Sequence, residues 1–301
     1  MRRDAVCYNH RVKSENSTLA EVFQFPVLMA PMRAARKFAI QRLMPAKGVK
    51  ETDDVIAVEE PLEIRIEGQS VAVVMRTPGE DRELAAGFLL TEGIIRSAKD
   101  LFDIASCVTS NRESEGNVVD AALANPNGFD AAKLSRHVFT SSSCGVCGKL
   151  SIDAVMKRRK PLHDPTTFST KIFLSLPKRL LSEQTTFKAT GGLHACALFD
   201  ARGTFVALRE DVGRHNALDK LIGWALLKKR TPLAGHIVLL SGRASFEMLQ
   251  KAHAAGIPAV VAIGAPSSLA VDFARESGQV LCGFVRGRSM NIYAGEERVV
   301  S

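Results

Sequence analysis

The sequence predicts an α/β protein: a mixed sheet covered by helices on both faces, with a smaller β-containing lobe before it. Three observations carry this. In the last third, apolar runs of strand length alternate with amphipathic stretches of helix length. Two earlier segments, 64–73 and 187–208, read as hairpins with Gly-containing turns. And 301 residues at 46% hydrophobic suffice to bury a large core without disulfide or metal staples.

The chain begins with a basic stretch. Residues 1–50 hold ten Lys/Arg against three Asp/Glu, which is +7 of the formal +8. The remainder is nearly neutral, so no chain-wide footprint for nucleic acid exists. Pro26, Pro31 and Pro45 interrupt the stretch and no period is sustained, so residues 1–48 are expected to be a disordered tail. Ala30–Met44 could alternatively form a short basic amphipathic helix for a membrane surface or a partner. No apolar run approaches the roughly 20 residues of a membrane span. Arg2-Arg3 precedes no apolar signal segment, and six cysteines in this length do not make a disulfide framework. The expectation is a soluble, cytoplasmic protein with no membrane and no nucleic-acid partner.

Residues 49–140 form the expected N-terminal lobe. In it, Ile64–Val73 is the hairpin, Glu83–Glu92 a helix stopped by Gly93, and 110–128 a run of polar loops. Residues 141–301 form the α/β lobe. A hairpin over 187–208 turns at Asp200-Ala201-Arg202-Gly203, and a helix over 217–229 ends at Thr231-Pro232. Strands at 236–240, 259–263 and 279–285 then alternate with helices at 244–255 and 267–276. Such an alternation needs crossovers, hence a parallel or mixed sheet.

Four segments carry candidate chemistry. Ser143-Cys144-Gly145-Val146-Cys147-Gly148-Lys149 is a Cys-x-x-Cys in permissive Ser/Gly backbone before an expected helix from Leu150. Helix N-terminal N–H groups and Lys149 would favour a thiolate there. Half a zinc site, a disulfide and a reactive redox or sulfur pair share this spacing, and all three stay open. A closed zinc site would need two further ligands; His194-x-Cys196 offers the only other close pair and reads as strand. Ligands of parallel sheets bind beyond the carboxyl ends of the strands. Those ends carry Ser241-Gly242-Arg243 and Gly264–Ser268, and Arg243, Arg286 and Arg288 are candidate anion clamps. The Arg209–Asn216 segment crowds Arg209, Glu210, Asp211, Arg214, His215 and Asn216 into one strand-to-helix connection. Glu210 or Asp211 is a candidate for a ribose hydroxyl or for orienting His215, Arg214 for phosphate, the plain alternative being helix capping and surface ion pairs. His194, after Thr190-Gly191-Gly192-Leu193, stands between pocket residue and core histidine.

Taken in order, Ser143–Lys149, Thr190–His194, Glu210–Asn216 with Asp219-Lys220, Ser241–Arg243 and Gly283–Arg288 closely resemble the FdhD family of formate dehydrogenase accessory sulfurtransferases. The resemblance spans about residues 55–300. It implies a cytidine-deaminase-like α/β fold without deaminase chemistry; no His-x-Glu with Pro-Cys-x-x-Cys is found. It further implies a sulfur relay. A cysteine desulfurase would load Cys144 as a persulfide, with Cys147 as relay or resolving thiol. The sulfur would pass to the molybdenum (or tungsten) bis-guanine-dinucleotide cofactor of a formate dehydrogenase, with GDP as a surrogate ligand. Family knowledge places Phe284, Val285, Arg286, Gly287, Arg288 and Ser289 at the cofactor site. Ser241, Gly242, Arg243, Arg214, His215 and His194 complete the candidate set. No protein metal ligand is implied, and a homodimer is left open. Two other readings stand beside it: a non-catalytic chaperone for the cofactor or dehydrogenase, and a zinc-dependent deaminase-like hydrolase.

Overall fold

The structure is a computed structural model that describes residues 34–107, 116–126 and 160–301. Both catalytic candidates, Cys144 and Cys147, and the helix expected from Leu150 lie outside the described residues.

The chain first forms an antiparallel ribbon, β1 (Ala35–Met44) and β2 (Gly48–Ala57), in ten-pair register from Ala35↔Ala57 to Met44↔Gly48. This corrects the expected tail. Residues 35–48 are ordered as strand and turn, and the helix considered over 30–44 is not formed across 35–44. The charge count misled because basic β1 pairs with β2, which carries Glu51, Asp53 and Asp54; in the ladder Lys37 faces Val55, Phe38 faces Asp54 and Gln41 faces Glu51, so backbone pairing rather than ion pairs joins the ribbon.

A four-stranded sheet follows, in the order β4-β3-β6-β5 in chain numbering: β3 (Glu60–Ile66), β4 (Gln69–Arg76), β5 (Leu101–Ser106) and β6 (Val118–Leu123). The hairpin expected at 64–73 is the distal part of β3–β4, with Glu67 and Gly68 at positive φ in its two-residue turn. β6 lies where only polar loops were expected. Its short apolar run, Val118-Val119, is buried between β3 and β5. Helix α1 (Asp81–Thr91) joins β4 to β5. It buries Leu84, Ala85, Ala86, Leu89 and Leu90 on this sheet.

The larger sheet has six strands, ordered β13-β12-β11-β10-β8-β9. They are β8 (His194–Asp200), β9 (Phe205–Asp211), β10 (His236–Leu240), β11 (Ala259–Ala262), β12 (Val280–Gly283) and β13 (Asn291–Ala294). β10, β11 and β12 are parallel, while β8 and β13 flank them antiparallel. The sheet is therefore mixed, as expected from the crossovers. Period-two burial sends Val238 and Leu240 to one face and Ile237 and Leu239 to the other. The first face carries α4 (Arg214–Leu227), α5 (Phe246–Ala254) and α6 (Ser268–Ser277). The second carries α2 (Thr170–Glu183), whose Phe173, Leu176 and Leu180 recur at helical spacing. α2 was not anticipated; nor were the short strands β7 (Phe168–Ser169) and β14 (Val299–Val300), which pair parallel.

The hairpin expected from Phe187 starts later. Residues Thr185–Thr190 are helix α3, and Gly191 at φ 67° ends it before β8. Glu210 decides this, since its carboxylate accepts the backbone N–H groups of Thr186 and Phe187 at 3.1 and 2.9 Å.

One apolar core runs through both lobes, from Leu62, Ile64 and Ile66 through α1 and α4 to Val260 and Leu281. Each such fully buried aliphatic side chain stabilises the fold by about 1.5–3 kcal/mol. At its centre α1 and α4 cross with glycine against backbone. A Cβ on Gly87 would overlap the Asp219 carbonyl, and one on Gly223 would overlap the Glu83 carbonyl. No side chain other than hydrogen fits this crossing.

Candidate functional site

The carboxyl ends of β10, β11 and β12 lie side by side, and β8 begins at the same edge because it runs antiparallel to β10. Three glycine-containing turns emerge there and bond to each other. Gly264 N–H donates to the Gly242 carbonyl at 3.1 Å, and Phe284 N–H donates to the Gly264 carbonyl at 3.1 Å. Glycine is required by this proximity: a Cβ on Gly264 would sit 2.8 Å from the Gly242 oxygen, and one on Gly283 2.9 Å from Pro266. Phe284 is held at φ 53°, an uncommon conformation for an aromatic residue, with its ring partly exposed.

The histidines and arginines of the candidate set meet at this edge. His194, the first residue of β8, pairs in register with Asp211 at the end of β9. Its Nδ1 would be 3.2 Å from a Cβ on Gly242, so the imidazole packs against the β10 turn. Burial lowers the His194 pKa below the ordinary histidine range, helped by the positive charges of Arg214, His215 and Arg243. Arg214 and His215 open α4 after the N-cap Gly213, which supplies no side-chain cap. Arg214 Nε is buried without a hydrogen-bond partner among the described residues. His215 Nε2 stands 2.8 Å from Glu247 Oε2, with both side chains largely buried. Arg243 is exposed on the β10 turn. The edge is thus a concentration of cationic and imidazole groups beside helix starts, an arrangement suited to an anion.

The 284–289 segment forms a compact turn at the same edge. Arg286 N–H donates to the Ser289 carbonyl, Gly287 adopts φ 68°, and the Arg286 guanidinium lies 6.0 Å from the Phe284 ring centroid. Arg286, Arg288 and Ser289 are exposed and available to a ligand. Two members of the set also serve the scaffold. Val285 is fully buried and its side chain belongs to the core under the second face, so only its backbone borders the edge. The Ser241 hydroxyl accepts the Ala195 N–H at 2.9 Å and so extends the β8–β10 pairing.

The Arg209–Lys220 segment divides sharply. Asp211, proposed above for a ribose hydroxyl or for orienting His215, is fully buried and does neither. It accepts the N–H groups of Thr77 and Gly213, pairs with Lys220 Nζ at 2.9 Å and receives Asn216 Nδ2 at 3.0 Å. Asn216 also donates to the Met75 carbonyl, and Lys220 to the Thr77 carbonyl. These residues staple the β4–α1 connection to α4. Arg209 makes a two-pronged pair with Glu83 at 2.5 and 2.9 Å. Asp219 pairs with Lys251 Nζ at 2.8 Å and accepts the Thr91 hydroxyl. Burial opposes the charge on Lys251, but Asp219 and Glu92 outweigh it and raise the ammonium pKa above the usual lysine range.

Sequence reasoning missed Glu247 and Arg76. Glu247 sits in the first turn of α5 with no motif around it. Arg76 is buried at the end of β4, holding Asp81, Glu60 and Asn117. The two free described cysteines offer no reactive alternative: burial raises Cys196 above the usual thiol range and pushes Cys282 up to about 12. No group of three metal-ligating side chains occurs among the described residues, and no described helix is long and apolar enough to cross a membrane.

Comparison with known proteins adds the following. The model of the FdhD/NarQ family matches residues 57–300. A protein of Mycolicibacterium paratuberculosis named sulfur carrier protein FdhD is 51% identical over 250 residues, covering 82% of this chain and 92% of that one. One of the same name from Streptomyces avermitilis is 50% identical over 256 residues, covering 83% and 91%. A crystal structure from Desulfotalea psychrophila, named as a candidate formate dehydrogenase accessory protein, superimposes with a TM-score of 0.68 at 23% identity. It covers 89% of this chain and all of that one, and at that identity shows the shared fold.

Proposed function

Because the chain belongs to the FdhD/NarQ family, we propose that it is a sulfur carrier that serves the maturation of a formate dehydrogenase through a cysteine persulfide. The substrate end of this reading is supported by one observation: His194, Arg214, His215, Arg243 and the 284–289 turn converge at the carboxyl edge of the larger sheet. That edge suits the phosphates and guanine ends of a molybdenum bis-guanine-dinucleotide cofactor, which is substrate here rather than resident cofactor. Arg286 and Arg288 are suited to phosphate oxygens, and the Phe284 ring to a base face.

Cys144 is the proposed carrier. Its thiolate attacks the outer sulfur of a persulfide on a cysteine desulfurase. One S–S bond forms as another breaks, the desulfurase cysteine leaves as thiolate, and Cys144 holds the sulfur. On delivery the acceptor supplies an electron pair to that outer sulfur, and Cys144 is released as thiolate. Cys147 is the relay or resolving thiol. The reading places the protein in the cytoplasm with a desulfurase and a formate dehydrogenase as partners.

Intact mass after incubation with a desulfurase and cysteine tests the carrier step. One added sulfur on the Cys144 peptide, absent in Cys144→Ser, is expected. Complementation of a strain lacking this protein tests the outcome, with Cys144→Ser expected to leave formate dehydrogenase inactive. Full dehydrogenase activity from the Cys144→Ser/Cys147→Ser double variant would sink the carrier reading in favour of a chaperone that holds the cofactor.

A further inference from the structure

We propose that Glu247 is a positioning residue for His215, holding the imidazole by Nε2 so that Nδ1 is the nitrogen offered to a ligand at the carboxyl edge of the larger sheet. This rests on reading that edge as the nucleotide site.

His215 stands in the first turn of α4 and Glu247 in the first turn of α5, and both helices start at this edge. Their side chains meet with Nε2 2.8 Å from Oε2 at 12% and 13% exposure. Nε2 is buried, and this close ionic contact, whose alignment falls short of a hydrogen bond, is the polar contact it makes among the described residues. Nδ1 makes no hydrogen bond among the described residues and is not among the buried orphan atoms, so it is the open nitrogen. A carboxylate at Nε2 keeps the proton of the neutral ring on Nε2 and leaves the Nδ1 lone pair free. Nδ1 is then placed to accept a hydrogen bond from a donor of the ligand, such as a ribose hydroxyl.

The surroundings fit this role. Burial works against the Glu247 carboxylate, yet contact with His215, aided by Arg214 and Lys251, holds its pKa below the ordinary glutamate range. Arg214 and Lys251 bear on Glu247 beside His215, while around His194 stand Arg214, His215, Arg243 and the acid Asp211, which is itself paired with Lys220. Glu247 is thus the acid that directly faces His215.

The test uses the full chain with GDP as probe. The two ring nitrogens of His215 are followed by 15N NMR of histidine-labelled protein, assigned by their loss in His215→Gln. The wild-type neutral ring is expected to carry its proton on Nε2. Glu247→Leu should abolish that preference, and Glu247→Gln, which keeps an acceptor, should retain it. In calorimetry Glu247→Leu and His215→Gln should each weaken GDP about tenfold, equivalent to about 1.4 kcal/mol. The double variant should bind no more weakly than His215→Gln alone, because the two act as one unit. Additive losses, or a His215 spectrum indifferent to Glu247→Leu, would overturn the proposal. Failure of the wild-type chain to bind GDP would instead remove the nucleotide reading of the edge, while the spectrum still decides whether Glu247 sets the ring. Should Glu247→Leu not fold, loss of the Nε2 preference is read from Glu247→Lys, and an unchanged spectrum there overturns the proposal equally.

Discussion

The crossing of α1 and α4 and the carboxyl edge of the larger sheet are built from the same stretch of chain and obey opposite rules. At the crossing, Asp211, Asn216, Asp219 and Lys220 are buried, each with polar partners, and Gly87 and Gly223 let backbone touch backbone. At the edge, Arg214 and His215, which open helix α4, keep polar atoms unused by the scaffold. A buried polar group must be fully satisfied or it costs stability, whereas a binding group must remain unsatisfied until its ligand arrives. Helix α4 does both because Arg214 and His215 open it at the sheet's carboxyl edge, while Asp219 and Gly223 further along it meet α1. A dense cluster of charged residues in a sequence is therefore not one site but two functions divided by helix geometry.

That division predicts that damage at the crossing falls on folding and damage at the edge on binding. The largest effect is expected from Gly223→Ala. Its methyl has no space against the Glu83 carbonyl, so the two lobes must separate. A loss of at least about 3 kcal/mol is expected, read as failure to yield soluble protein or as a collapsed chemical-denaturation midpoint. A near-wild-type midpoint would show that the crossing is looser than described.

Lys251→Met comes next. It leaves the buried Asp219 and the partly exposed Glu92 without their cation, a loss of about 3–5 kcal/mol. Adding Asp219→Asn should recover part of this, because the isolated charge goes. If the double variant is as unstable as the single, packing of the lysine stem rather than charge is responsible.

Edge variants should separate binding from stability. Arg286→Ala is exposed and should change stability by less than about 0.5 kcal/mol. It should nevertheless weaken GDP about tenfold, as expected for one charge-assisted phosphate contact. Thermal shift with and without GDP reads both quantities, and equal losses in both would blur the comparison drawn above.

The smallest effect concerns pH. The folded-state pKa of His194 lies below 6.5, chiefly through burial and then through Arg214 and His215. Below about pH 6.5 the unfolded chain takes up a proton that the folded chain does not, so stability declines as pH falls through the folded pKa and then levels off. His194→Gln should flatten this part of a melting-temperature profile between pH 7.5 and 5. An identical slope in wild type and variant would place the responsible group elsewhere.

The larger sheet was legible because its strands are continuous apolar runs, Ile237–Leu240 and Ala259–Val261, separated by helices with clear faces. The loops at its carboxyl edge were legible for the same reason: strand ends place them, whatever their composition. The ribbon β1–β2 was not, since its two strands mostly face solvent and show no sustained alternation. α2 was passed over because Pro177 interrupts its pattern, although its apolar face is regular.

Sequence by itself determined the alternation of elements, the family and the identity of the edge loops, because these follow from local periodicity and from ordered motifs. Only the tertiary structure decided which charged residues are scaffold and which are site. Asp211 and His215 are four residues apart and equally polar, yet one faces Thr77 and Lys220 inside the molecule and the other faces Glu247 at its edge. That outcome depends on which partners other segments bring to each side of α4, and such long-range contacts leave no trace in local residue patterns.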